Sequence, residues 1–210
     1  MAGCPHAPGH TSWEATLHPL KIARTAVAEH GALQKPAELA GFLALAMDHH
    51  PQVVVEIGSD VGGTLWAWQQ LGARRVIGVD LPNAKFSSGC YAMRKSNDLE
   101  AHGSEVVYGD SHDKATLQQL IDLLGDDEID LLFIDGDHTY DGVEQDFYMY
   151  APLVRPGGII GLHDICNHGR PDVQVDQWWR ALRVPKEEII TDPPTWGGIG
   201  VIHQPAAAAA

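Results

Sequence analysis

The chain has 210 residues, 44% of them apolar, enough for one sizeable core and little more, so a single domain is expected. Acidic residues number 28 against 14 basic ones, a formal charge of −14, and no basic cluster interrupts that field, which argues against a nucleic-acid partner. No run of about eighteen apolar residues occurs, so no membrane span is expected, and the scattered Cys4, Cys90 and Cys166 suggest neither a disulfide framework nor a zinc ribbon and fit a reducing cytoplasm.

The opening stretch MAGCPHAPGHTSWE lacks a charged start and an apolar core, so it does not read as a secretion signal, and its composition suggests a loose arm. Helical patterns follow at residues 19–30 and 36–50, the second opening on Pro36, where a first helical turn tolerates proline. Leu39, Phe42, Leu43, Ala46 and Met47 recur there at helical spacing. From residue 53 the chain alternates. Strands are expected at 53–57, 75–79, 105–108, 131–134 and 159–162. The helices between and after them are expected at 62–71, 84–102, 114–124, 140–153 and 173–182, and two last strands at 188–191 and 198–203. This alternation predicts an α/β fold with a mostly parallel sheet and helices on both faces. The final loop is too short for a helical crossover, so the last two strands should pair antiparallel. The expected division is an N-terminal arm and helices over 1–50, a catalytic domain over 51–204 and a tail over 205–210.

The strands carry acids at their carboxyl ends, the edge where open α/β sheets bind ligands. The first runs into Gly58-Ser59-Asp60-Val61-Gly62-Gly63-Thr64. Glycines at such a turn admit a ligand to the backbone, and the following helix offers unpaired N–H donors. Asp60 replaces the second glycine of a dinucleotide fingerprint and would repel a pyrophosphate, whereas a ligand carrying a cation would not suffer. Asp80 is placed to accept both hydroxyls of a ribose, or to cap the turn before Pro82. Asp110 suits the exocyclic amine of an adenine, or caps the next helix. Asp135, His138, His163 and Asp164 converge at one rim as a metal or acid–base site. The bland alternatives are a surface histidine at 138, among twelve in the chain, and a turn cap at 164. Asp137 is expected to cap the helix at 140–153. Trp178, Trp179 and Trp196 read as core or lid aromatics.

The ordered motifs EIGSDVGGT, VIGVD, YGDS, LLFIDGDHTYDGVEQD and RPGGIIGLHD resemble those of class I S-adenosylmethionine-dependent methyltransferases. The likeness is to the small-molecule branch that includes cephalosporin hydroxylase-like proteins and sugar or macrolide O-methyltransferases. The resemblance implies a Rossmann-like sheet of seven strands with an antiparallel last strand. It also implies that Glu56, Gly58, Ser59 and Gly62 surround the methionine and ribose of S-adenosyl-L-methionine, that Asp80 holds the ribose diol, and that Asp110 and Ser111 flank the adenine. The positive sulfonium makes an acid-rich mouth sensible. In metal-dependent relatives, acids matching Asp135 and Asp164 bind a divalent cation. His163 stands where a second acid is common, so the third ligand is open. Oxygen ligation suits Mg²⁺, and an imidazole tilts the site towards Mn²⁺, Fe²⁺ or Zn²⁺. In the sugar O-methyltransferases that the chain resembles, a histidine spaced as His138 is from Asp135 serves as general base, which agrees with the ability of a histidine to titrate near neutral pH.

The expected activity is therefore methyl transfer to a hydroxyl of a small metabolite, a sugar or natural-product scaffold, in the cytoplasm. The alternatives are a non-methylating cyclisation or rearrangement on the same cofactor, a non-catalytic partner subunit, and a nicotinamide-dependent dehydrogenase, which Asp60 disfavours. A homo-oligomer built through the N-terminal helices stays open.

Overall fold

A computed structural model describes residues 18–82 and 103–206. Two helices come first, α1 (Pro19–His30) and α2 (Pro36–His49). Each opens on a proline, and α1 ends at Gly31 in the left-handed conformation. Then follow β1 (Val53–Ile57), α3 (Gly63–Gln69), β2 (Arg75–Asp80), β3 (Glu105–Tyr108), α4 (Lys114–Leu124), β4 (Ile129–Ile134) and α5 (Tyr140–Tyr150). The chain closes with β5 (Val154–His163), α6 (Val175–Ala181), β6 (Glu187–Ile189) and β7 (Ile199–His203). The helix expected at 84–102 lies outside the described residues.

The strands form one seven-stranded sheet in the order β3-β2-β1-β4-β5-β7-β6. β1 to β5 are mutually parallel. β7 pairs antiparallel with both β5 and β6, because the loop between the last two strands is too short to cross over. The expected Rossmann-like sheet with helices on both faces is thus observed, with the reversed strand inside the edge rather than at it.

Period-two alternation divides the apolar residues between two cores. Val53, Val55 and Ile57 of β1, with Leu132 and Ile134 of β4, pack under α4, α5 and α6. Val54, Leu131 and Phe133 pack under α1, α2 and α3. The first two helices therefore cover one sheet face together with α3. Close approach there depends on Gly161 of β5, where an added Cβ would lie 2.6 Å from Phe42 and 2.7 Å from Phe133.

Among the differences from expectation, three have a local cause. The helix expected to run to residue 153 ends at Tyr150 and tightens into a 3-10 turn over Ala151–Leu153, around Pro152. β5 begins five residues early, and its register against β4 shifts between Ile129 and Leu131, which accommodates Pro156, Gly157 and Gly158. Thr139, not Asp137, caps α5: its hydroxyl accepts from the Gly142 N–H at 3.1 Å, while Asp137 Oδ1 accepts from the Thr139 N–H at 2.8 Å, one step earlier.

No helix among the described residues is long and apolar enough to cross a membrane.

Candidate active site

The carboxyl ends of β1 to β5 open onto one cavity of about 580 Å³, within the usual range for small-molecule sites. Its floor is the β1–α3 turn. Gly58 has φ 80°, and a Cβ there would lie 2.3 Å from the Asp135 carbonyl oxygen, so only glycine lets the β1 and β4 exits run side by side. Asp80, at the end of β2, fastens this turn. Its Oδ2 accepts from the Ser59 N–H at 2.6 Å and the Asp60 N–H at 2.8 Å.

Asp110 and Ser111, after β3, form the next stretch of wall. Asp110 Oδ1 accepts from the His112 N–H at 2.9 Å, and the Ser111 carbonyl accepts from the Tyr150 hydroxyl at 2.8 Å. Asp113, not Asp110, stands at the N-cap position of α4, without a side-chain capping bond.

Beyond β4 and β5 the polar groups crowd together. One ligand atom from each of Asp135, His138 and Asp164 lies within 4.8 Å of the others, a spacing able to hold a metal ion. His138 Nε2 is 3.2 Å from Asp135 Oδ1 and 3.6 Å from Asp164 Oδ2. Asp164 sits at φ 62°, a conformation unusual for a side chain larger than glycine, here at the site itself. His163 Nδ1 lies 3.1 Å from Asp135 Oδ1 and 3.2 Å from Asp164 Oδ1. Its ring is buried and lines the cavity wall with the other three. The acids expected to be ligands are thus brought together, with His138 as the third member of the group and His163 also touching both acids.

The electrostatics of the group are mutual. Burial alone would raise Asp135, but the facing His163, then the hydrogen bond from His138, hold its carboxyl well below the usual range. Burial would likewise lower His163, yet Asp135 and Asp164 push it up to about 9. For His138 too, burial is outweighed by Asp135, and its pKa rises.

Two expected cofactor residues, Glu56 and Gly62, are not among those that line the cavity. Glu56 points to the opposite sheet face, as strand alternation requires after Ile57 has been committed to its own side. It is fully buried, and its Oε1 accepts from Trp68 Nε1 at 3.3 Å. Burial pushes its carboxyl up to about 8, with Asp135 adding to the rise against hydrogen bonds from Thr64 and Trp68. Gly62 is the α3 N-cap at φ 84°; Gly63 and Thr64, one step on, line the wall in its place.

Other wall residues come from segments with no motif. Gln34, in the α1–α2 loop, donates from Nε2 to Asp135 Oδ2 at 2.7 Å. His168 Nε2 lies 2.9 Å from Asp164 Oδ1; its four-residue spacing from Asp164 was the one available signal. Trp196 stands in the wall 41% exposed, whereas Trp178 and Trp179 are core.

A methyltransferase-domain family model matches residues 55–165, just over half of the chain. The chain is 35% identical over 80 residues to the probable caffeoyl-CoA O-methyltransferase 1 of Dictyostelium discoideum, over 37% of this chain and 34% of that protein. It superposes on the O-methyltransferase from Bacillus cereus in complex with SAH with a TM-score of 0.58 and 18% identity, covering 89% of this chain and 90% of that one. The MycE methyltransferase from the mycinamycin biosynthetic pathway, in complex with Mg, SAH and mycinamycin VI, gives a TM-score of 0.62 at 15% identity, over 93% of this chain and 57% of that one. The curated relatives are matched over 15% to 55% of their own lengths, and the likeness to the solved structures is one of fold.

Proposed function

The chain belongs to the methyltransferase-domain family, and on that premise we propose that it moves a methyl group from S-adenosyl-L-methionine to a hydroxyl of a small metabolite, a sugar or natural-product scaffold, with help from a divalent cation. The observation that carries this reading is the grouping of Asp135, His138 and Asp164 beside the glycine turn in a single cavity.

Both absent groups fit the residues present. A sulfonium is a cation, and Asp80, Asp110, Asp135 and Asp164 surround the space it would enter. For the metal, Asp164 Oδ1 is buried and accepts no hydrogen bond from the imidazole nitrogens of His163 and His168, 3.2 and 2.9 Å away, so it has a lone pair to offer a cation. The carboxylate oxygens of Asp135 and Asp164 suit Mg²⁺, or Mn²⁺ or Fe²⁺, and leave the His138 imidazole free to take a proton. MycE, of the same fold, holds Mg together with SAH and a natural product, and the caffeoyl-CoA relative is named as an O-methyltransferase; both support the reading. When bound, the cofactor supplies an electrophilic methyl carbon and the cation supplies Lewis acidity at the acceptor oxygen.

The chain's own residues do the rest. Gly58 and Ser59 admit the methionine end to the backbone, and Asp80 keeps that turn in shape while facing the ribose. Asp110 and Ser111 flank the adenine. Asp135 and Asp164 hold the cation, with Gln34 and His163 orienting Asp135. His138 takes the acceptor proton at Nε2. Leu33, Val173 and Trp196 line the wall and limit access of water. Much of the rate comes from holding the nucleophile in line with the methyl carbon. The scattered cysteines support a cytoplasmic setting, and the N-terminal helices leave a homo-oligomer as a further part of the reading.

The test is calorimetric titration of the chelator-stripped protein with S-adenosyl-L-methionine, then with Mg²⁺ and Mn²⁺, using Asp135→Ala as control, followed by mass spectrometry on a panel of hydroxylated acceptors. Cofactor binding, a cation signal lost in the variant and a product heavier by one methyl group support the reading. A product isomeric with its acceptor would replace it with the non-methylating reaction, and no cofactor binding would end it.

A further inference from the structure

Two demands meet on one atom, His168 Nε2. The Gly197 N–H donates to it across 3.1 Å, and Asp164 Oδ1 lies 2.9 Å from it. A neutral imidazole nitrogen carries either a lone pair or a proton. With Gly197 donating, Nε2 presents its lone pair and has no proton for Asp164. Asp164 Oδ1 is left buried without a hydrogen bond. The nearby His163 Nδ1, 3.2 Å away, is engaged with Asp135 Oδ1 at 3.1 Å.

Gly197 belongs to the β6–β7 loop that brings Trp196 into the cavity wall. Glu38, fully buried on α2, anchors both ends of this loop. Its Oε1 accepts from the Thr191 N–H at 2.9 Å and hydroxyl at 2.7 Å, and its Oε2 accepts from the Gly198 N–H at 2.7 Å. The Gly197 carbonyl accepts from the Cys166 N–H at 2.8 Å. Between these anchors, the His168 contact is the one that leads directly to an acid of the cation group.

We propose that His168 is a positioning residue that couples a divalent cation at Asp164 to the seating of the Trp196 loop on the acceptor side of the cavity; this rests on the cation-assisted reading above. With the proton on Nδ1, Nε2 receives Gly197 and Asp164 Oδ1 is left for the cation. With the proton on Nε2, His168 donates to Asp164, and the Gly197 N–H loses its acceptor. The exchange is between tautomers and changes no net charge. A cation at Asp164 favours the first arrangement and so favours the seated loop. By linkage, a seated loop strengthens cation binding by the same factor.

The experiment titrates Mn²⁺ into the whole chain saturated with S-adenosylhomocysteine, read by calorimetry and by tryptophan emission, in the wild type and in Trp196→Phe, Asp135→Asn and His168→Gln. A glutamine carbonyl accepts from Gly197 and, unlike an imidazole, has no second tautomer to exchange, so the loop contact no longer depends on what Asp164 binds and the site is not emptied. The expected result is an emission change in the wild type that follows Mn²⁺ binding and is lost in Trp196→Phe. Asp135→Asn should lose both signals, and His168→Gln should keep Mn²⁺ binding but lose the emission change. Binding without an emission change in the wild type, or a full change in His168→Gln, overturns the coupling and leaves the cation reading standing. Loss of Mn²⁺ binding in His168→Gln makes His168 a ligand and overturns the positioning role. No Mn²⁺ binding in the wild type overturns both.

Discussion

Gln34 Nε2 donates to Asp135 Oδ2 across 2.7 Å, joining residues 101 positions apart. The amide is buried, and the other oxygen of Asp135 takes His138 and His163, so Gln34 sets the rotation of the carboxylate. A hydrogen bond to a charged group contributes roughly 1.5–3 kcal/mol. Gln34→Ala should therefore lower turnover by about tenfold or more and leave S-adenosylhomocysteine affinity nearly unchanged. Parallel kinetics and calorimetry check this, and an equal loss in both would make Gln34 a cofactor-pocket residue.

Asp135→Ala should abolish turnover far more than cofactor binding. The side chain serves the cation and the acceptor, whereas the cofactor rests on the turns at Gly58 and Asp80. Equal loss of the two would mean that Asp135 supports the pocket itself.

Asp80→Ala should do the reverse. Its Oδ2 holds the N–H groups of Ser59 and Asp60, and without it the turn after β1 loses its brace. Calorimetry should show S-adenosylhomocysteine affinity down by roughly tenfold or more, in keeping with a lost charged hydrogen bond.

His138 must be neutral to accept a proton. Turnover should fall as the pH is lowered through the pKa of this histidine, and that acid limb should be missing from the residual activity of His138→Ala. An unchanged pH–rate profile in the variant would remove His138 from the base role.

Glu56 makes a prediction about stability. Its carboxyl is raised from 4.5 to about 8 in the folded protein, so the folded state holds a proton that the unfolded chain releases. The stabilising contribution is complete below about 4.5 and is lost as the pH rises towards 8, at about 1.4 kcal/mol per pH unit. Urea unfolding of the wild type and Glu56→Gln at pH 5 and pH 8 should show the variant gaining on the wild type at the higher pH. A constant difference would contradict the assigned shift.

The alternation of apolar strands with helical patterns, the glycine turn after β1 and the acids at the strand ends were legible in the sequence. Each is a local property: a period of two or 3.6, a turn that needs glycine, a residue placed by the end of its own strand. The cluster of Asp135, His138 and Asp164 was half legible, because neighbouring parallel strands had to deliver both acids to one edge. How His138 and His163 share those acids was not: both rings line the cavity and both touch Asp135 and Asp164, a placement set by the packing of β4 against β5. Glu56 is not among the lining residues for a related reason. It belongs to the same motif as Gly58, but the strand's alternation turns it to the other face, beside Trp68. Gln34, His168 and Trp196 carry no pattern of their own. They acquire a role because α1 and α2 cover the sheet and a reversed β7 brings its loop back to the rim, long-range contacts that only the folded chain decides.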